Sequence, residues 1–187
     1  MTDGRTGGRP ADRRDWRLAT LLLLALGCGG RAVEDPNPRV RADLARLREV
    51  TRPYHDLDVA VAAGYPRDVK DCIVHEHHGA MGYHHLNRAN IERAISVERP
   101  QFLLYERSNG GEYRLNGVEF IIPFRLWPRD TVAPVFLGQT MKPEDNFKYW
   151  YLHVWAWRDN PNGVFADFDP TVQCSAADRK LYQPTSP

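Results

Sequence analysis

Nine consecutive residues near the C-terminal end, Tyr149-Trp-Tyr-Leu-His-Val-Trp-Ala-Trp157, constrain this chain more than any other stretch. Extended, they alternate between two faces. Tyr149, Tyr151, His153, Trp155 and Trp157 share one face; Trp150, Leu152, Val154 and Ala156 share the other. A strand that is apolar on both faces has to be covered on both. With Phe147 before it, the run predicts an interior strand over Phe147 to Trp157, with His153 buried among aromatic rings. A buried imidazole needs a partner for at least one nitrogen. Either His153 is a core residue bonded to a backbone carbonyl, or it is a ligand or an acid–base group.

Glu112 to Phe124 predicts a second long strand. It returns from a strand over Phe102 to Arg107 through the tight turn Ser108-Asn-Gly-Gly111, because Asn-Gly is the strongest short hairpin signal in a sequence. Tyr113, Leu115, Gly117, Glu119 and Ile121 alternate onto one face, and Val118, Phe120 and Ile122 onto the other. Glu119 thus interrupts an apolar stretch. An unpaired buried carboxylate is costly, so Glu119 is expected to be protonated, paired with an arginine or bound to a cation. Glu106 can share its face. In a two-residue register Glu106 faces Tyr113, about 20 Å from Glu119 at strand rise, so both serve one site only if the sheet curls.

Between Arg39 and Gly64 the apolar positions Val40, Leu44, Leu47, Thr51, Tyr54, Leu57 and Val61 recur at helical steps. Pro53 interrupts them. With Thr51 as a cap and Pro53 in a first turn, a kink or two helices are expected, stopped by Gly64 and Pro66. Further expected elements are a strand over Met81 to Asn87, a short helix over Asn90 to Ile95 and a strand over Val135 to Lys142. A loop-rich cap would follow Asn160-Pro-Asn-Gly163 and end near Cys174. The fold class is α+β: an N-terminal helical arm packed on an antiparallel β-sheet, either a sandwich or a partial barrel.

Met1 to Arg17 carries five arginines and is followed by the apolar run Leu18–Leu26 and by Gly27-Cys28-Gly29-Gly30. A basic start, a short apolar run and a small residue before the break describe a secretory signal. The run is too short to span a bilayer, which takes about 20 residues. Ala25-Leu26-Gly27-Cys28 resembles a bacterial lipobox, whose cysteine becomes the lipidated N-terminus; plain secretion is the alternative. The expected organisation is a signal over 1–28, a polar tether over 29–38 and one globular domain over 39–187. A lipid anchor on Cys28 would hold that domain to a membrane, facing the periplasm or the cell exterior.

Cys72 and Cys174 lie in the exported part, where pairing is the default. A bridge would close a loop of about 100 residues. A thiolate metal site is the rival reading, but the local Cys-x-x-Cys spacing is missing. The formal net charge is +1, from 25 Lys+Arg against 24 Asp+Glu. No basic excess exists to neutralise phosphates, so nucleic acid is not an expected partner.

Five of the seven histidines, His75, His77, His78, His84 and His85, fall within the short segment His75–His85. Such density suggests a transition metal, since neutral imidazole suits Zn and Cu. A solvated polar loop is the bland alternative for His75, His77 and His78. On the Met81–Asn87 strand His84 shares a face with Gly82 and Leu86, and His85 with Tyr83 and Asn87. No Gly-rich phosphate loop, Gly-x-Ser-x-Gly elbow or His-Glu-x-x-His helix occurs, so no catalytic residue is assigned.

Taken together, Gly79-Ala-Met-Gly-Tyr-His84, Leu103-Leu-Tyr-Glu106, Asn116-Gly-Val-Glu-Phe120, Tyr151-Leu-His-Val-Trp-Ala-Trp157, Asn160-Pro-Asn-Gly-Val-Phe165 and the two cysteines resemble the pattern of an uncharacterised family of exported bacterial proteins. The likeness covers Tyr54 to Cys174. It implies a shared domain with a cysteine pair, sets His84, Glu106, Glu119 and His153 within family motifs, and implies no activity. The His75-Glu-His-His78 tract departs from that pattern.

Two functional expectations follow. The first is an exported, lipid-anchored domain with a His/Glu site for one transition-metal ion, Zn or Cu. Its core is His84, Glu119 and His153, with Glu106, His75 and His77 as further candidates. The second is a metal-free ligand- or partner-binding module in which aromatic residues line a pocket.

Overall fold

The computed structural model describes residues 37–183 except Asn109; the expected signal, Cys28 and most of the expected tether lie outside the described residues. Asn37 starts the helical arm by accepting a hydrogen bond from the Val40 N–H (3.0 Å), and Pro38 sits in the first turn, where its missing N–H costs nothing. Helix α1, Pro38–Thr51, buries Val40, Leu44, Leu47 and Thr51. The expected break at Pro53 is a 3-10 turn over Arg52–His55, followed by α2, Leu57–Ala62. Thr51 does not cap it. Its hydroxyl donates to the Leu47 carbonyl (2.7 Å) and accepts from Trp157 Nε1 (3.0 Å). Asp56 caps α2 instead, accepting from the Asp58 N–H.

The strands are β1 (Cys72–His75), β2 (Gly79–Leu86), β3 (Phe102–Arg107), β4 (Tyr113–Pro123), β5 (Val135–Phe136), β6 (Gln139–Thr140), β7 (Lys142–Glu144), β8 (Tyr149–Val154) and β9 (Arg179–Leu181). Seven of them form one sheet in the order β7-β8-β4-β3-β2-β1-β9, and β5 and β6 make a separate ribbon. Every pair in the large sheet is antiparallel except β1 with β9, which is parallel. The fold is α+β, and the sheet curls into a half-barrel. Strand β8 is interior, with β4 on one side and β7 on the other. Cys72 and Cys174 form a disulfide with Cα atoms 5.7 Å apart, which ties the last loop to β1 just before β9. No helix of the described residues is long and apolar enough to cross a membrane.

Three sequence expectations are corrected. Val135 to Lys142 is not one strand: Leu137 (φ 51°) and Gly138 (φ 71°) reverse the chain and split it into the β5–β6 ribbon and the start of β7. The helix expected over Asn90–Ile95 is only a 3-10 turn over Arg88–Asn90, set earlier because Asn87 accepts from the Ala89 N–H. The β3–β4 connection is one residue longer than a tight Asn-Gly hairpin allows, so Glu106 pairs with Arg114 and not with Tyr113.

Two bulges shape the sheet. Ile73 pairs with Gly82 and Val74 with Ala80, leaving Met81 as an extra residue. Leu104 pairs with Gly117 and Tyr105 with Leu115, leaving Asn116 as another. An extra residue inverts the alternation of faces beyond it. Leu115 therefore packs with Val118 and Phe120 in the core beneath α1 and α2, not on the face of Glu119. That core also takes Trp150, Leu152 and Val154 from β8 and Leu103 and Tyr105 from β3. The opposite face carries His84, Phe102, Glu119, Ile121, Tyr151 and His153, and it lines a cleft.

Candidate metal centre

Glu119 and His153 are direct cross-strand partners on β4 and β8. Such pairs stand on one face with Cβ atoms about 5 Å apart. His84 comes from β2, which is separated from β4 by β3, and it is also offset along the sheet: it pairs with Leu104, whereas Glu119 pairs with Phe102. The curl closes both gaps. His84 Nε2 lies 3.4 Å from His153 Nε2 and 3.6 Å from Glu119 Oε2, and His153 Nε2 lies 3.7 Å from the same oxygen. Among the described residues this is the one group of three His, Cys, Asp or Glu side chains placed to hold a metal ion. Glu119 and His153 are buried, and the His84 side chain is 17% exposed.

The triangle has a definite size. The point equidistant from its three corners lies about 2.1 Å from each, which is the bond length zinc makes to imidazole nitrogen and carboxylate oxygen. The protons around it also point to a cation. His84 Nδ1 faces the Gly82 carbonyl at 3.2 Å, and a carbonyl only accepts, so the proton sits on Nδ1 and Nε2 presents a lone pair to the centre. Burial pushes the His84 imidazole down to about 4, against a partial upward pull from Glu119, so the ring is neutral at pH 7. One proton can bridge the two imidazoles. Glu119 Oε2 and His153 Nδ1 are then left buried without a hydrogen-bond partner. A divalent cation would satisfy Oε2 and both Nε2 atoms together and leave His153 Nδ1 to carry its proton.

An acceptor for that proton is in place. Asp167 Oδ1 lies 3.9 Å from His153 Nδ1, and Lys142 Nζ holds Asp167 Oδ2 at 2.7 Å. Gly82 stands behind His84 at 3.2 Å, and Asp167 behind His153 at 3.9 Å without a hydrogen bond, in the places where metal-bound histidines usually have an outer partner. Asp167 lies in the loop between β8 and Cys174, and no pattern in the sequence distinguishes it from neighbouring polar residues. His84, by contrast, owes its aim to Gly82. The glycine adopts φ 94°, and a Cβ there would lie 2.4 Å from the Tyr105 carbonyl oxygen, so no other residue can present that carbonyl to the ring.

The other candidates lie apart. Glu106 accepts from Arg158 Nη1 at 2.7 Å and lies 3.5 Å from Arg114. The arginine pairing considered for Glu119 thus belongs to Glu106. His75 Nδ1 accepts from the His77 backbone N–H at 3.0 Å, and its ring packs on His78 and Phe168. His77 is exposed beside Glu76. Neither His75 nor His77 joins a three-donor group among the described residues. His85 faces the core side, where its Nδ1 meets the Pro66 carbonyl at 2.6 Å between Tyr105 and Tyr113.

The centre opens onto a cleft of about 770 Å³. Ile73, Leu86, Ile91, Phe102, Ile121 and Tyr149 give it apolar walls. Burial drives the Tyr149 and Tyr151 phenols well above their ordinary range, so both remain hydrogen-bond donors. Three protein donors beneath an accessible cleft leave a coordination position free for water or a ligand, the arrangement of reactive and not of closed structural metal sites. Comparison with protein-family models, with curated proteins and with solved structures finds no match to this chain.

Proposed function

We propose that this protein is an exported, lipid-anchored domain that binds one transition-metal ion through His84, Glu119 and His153 and offers its open position to a ligand in the cleft. One observation carries the reading: His84 Nε2, His153 Nε2 and Glu119 Oε2 meet 3.4–3.7 Å apart, and the buried Glu119 Oε2 has no hydrogen-bond partner among the described residues. Two imidazole nitrogens and one carboxylate oxygen are a donor set that zinc takes. Cu is second on the same N/O donor set. With an open position the ion supplies a Lewis acid.

Export rests on the basic and apolar segments before Cys28, and the Cys72–Cys174 disulfide fits an oxidising compartment.

The test is to express the full chain in a bacterial host, purify it from the membrane fraction without chelators, and quantify metal per chain. About one equivalent of zinc or copper is expected, and it should be lost in the His84→Ala/His153→Ala variant while the Glu106→Gln variant keeps it. Unchanged metal content in the double-His variant, or none in the wild type after adding zinc and copper, refutes the centre. It would leave the cleft as a metal-free ligand site.

A further inference from the structure

The cleft above the centre carries a charge pattern that the metal reading does not use. Four cationic residues line it: Arg88, Arg125, Lys148 and Lys180. Lys180 is paired with Asp71 at 2.6 Å, and Arg125 is paired with Glu92. Arg88 and Lys148 have no carboxylate partner among the described residues. Of the acidic groups in the lining, Asp71 is taken by Lys180. Glu144 accepts from the Asn146 N–H and the Tyr182 hydroxyl. Glu119 belongs to the centre. No carboxylate is left over to answer the two free cations.

Their placement follows from the topology. Strands β2 and β4, both antiparallel to β3, run the same way, toward Arg88 and Arg125, and β8, antiparallel to β4, starts after Lys148. All three cations therefore sit at one end of the sheet, at the mouth of the cleft. His84 lies four residues before Arg88, and His153 five residues after Lys148, so both cations sit just outside the strands that carry the two histidines. Between mouth and centre the wall is Leu86, Phe102, Ile121 and Tyr149. A cleft with that volume, an apolar wall and a few fixed polar groups is a small-molecule site.

We propose that the cleft takes an apolar monoanion, a carboxylate on an aliphatic body, with the body against the apolar wall and the charge answered by the unpaired cations Arg88 and Lys148. Desolvating the body against the wall supplies affinity, and the unpaired cations select the charge. This inference does not rest on the metal reading.

The full chain with Cys28→Ser, which removes the acylation site as a source of competing lipid, is titrated calorimetrically with decanoate, decanol and decyltrimethylammonium below their micelle concentrations. Decanoate should bind at least tenfold more tightly than decanol, and decyltrimethylammonium should not bind. The Arg88→Gln/Lys148→Gln variant should lose at least tenfold for decanoate, with its metal content and near-UV circular dichroism unchanged. Decanol binding as tightly as decanoate, wild-type affinity in the double variant, or no decanoate binding to protein that carries its metal would each overturn the proposal. Metal is quantified on the same samples. A protein that holds no metal but still selects decanoate through Arg88 and Lys148 sinks the centre and sustains the cleft.

Discussion

Asp167 offers the sharpest test of how the centre is built. Its Oδ1 lies 3.9 Å from His153 Nδ1, about 0.7 Å beyond hydrogen-bond range. Lys142 holds the other oxygen at 2.7 Å. Ligation through Nε2 puts the His153 proton on Nδ1, and a small shift of the ring or carboxylate makes that bond. In Asp167→Asn, Lys142 claims the amide oxygen and turns the NH2 toward Nδ1. That side then favours an Nδ1 lone pair and puts the proton on Nε2, inside the centre, where it blocks the metal. Outer partners of this kind carry about 10- to 100-fold in metal affinity, or about 1.4–2.7 kcal/mol. The Lys142–Asp167 pair is half-exposed on the lysine side, so its loss costs folding no more than about 1 kcal/mol. Competition titration against a zinc chelator of known affinity reads the effect, with urea denaturation as the stability control. A zinc affinity within twofold of wild type would show that Asp167 does not orient His153 and would remove the outer half of the argument.

Two further predictions concern the fold around the site. Burial lowers His84 from 6.5 to about 4, so as pH falls the unfolded chain takes up its proton first. The stabilisation is complete above pH 6.5 and is lost between 6.5 and 4, by at most about 3 kcal/mol; urea melts of chelator-treated protein should show this slope, and His84→Leu should flatten it, whereas parallel profiles would mean that His84 is not desolvated. The Cys72–Cys174 bridge closes a chain separation of 102 residues. Replacing both cysteines with serine should therefore cost about 4–5 kcal/mol in the chain-entropy model, and a loss below 1 kcal/mol in urea denaturation would mean that β9 and the last loop hold without it.

Period-two reading was reliable where a strand ran without interruption. On β8 it gave both faces correctly over Tyr149–Val154, which contains no bulge, but it failed past the end of the strand, where Trp157, expected on the face of His153, packs with the core beneath α1 and donates to the Thr51 hydroxyl. On β4 it held from Gly117 onward and failed at Leu115, because the unpaired Asn116 inverts the alternation. The strand β9 gave no signal. Arg179-Lys180-Leu181 is an exposed, charged three-residue edge, placed by the disulfide and the β1 ladder and not by its own apolarity. The Glu119–His153 pairing was half legible: each residue stood out as a polar group in an apolar run, but the register that sets them side by side depends on a connection of more than twenty residues. Asp167 was silent because a loop acidic residue has no period to break.

What brings His84 to the other two is the curvature, and its causes can be located. Met81 is the extra residue three positions before His84, and Asn116 the extra residue three positions before Glu119. Bulges bend the strand that carries them and increase its twist, so each of the two ligand-bearing strands that flank β3 is bent just ahead of its ligand. Glycine follows each extra residue. A Cβ on Gly82 would lie 2.4 Å from the Tyr105 carbonyl oxygen, and one on Gly117 would lie 2.3 Å from the Val154 carbonyl oxygen. Those close approaches let β2 fold in toward β3 and β4 toward β8. A flat sheet with the same ladder would leave His84 about 10 Å across and two residues along from Glu119, out of reach of a shared ion. The centre is therefore a property of the bent sheet as much as of its three ligands.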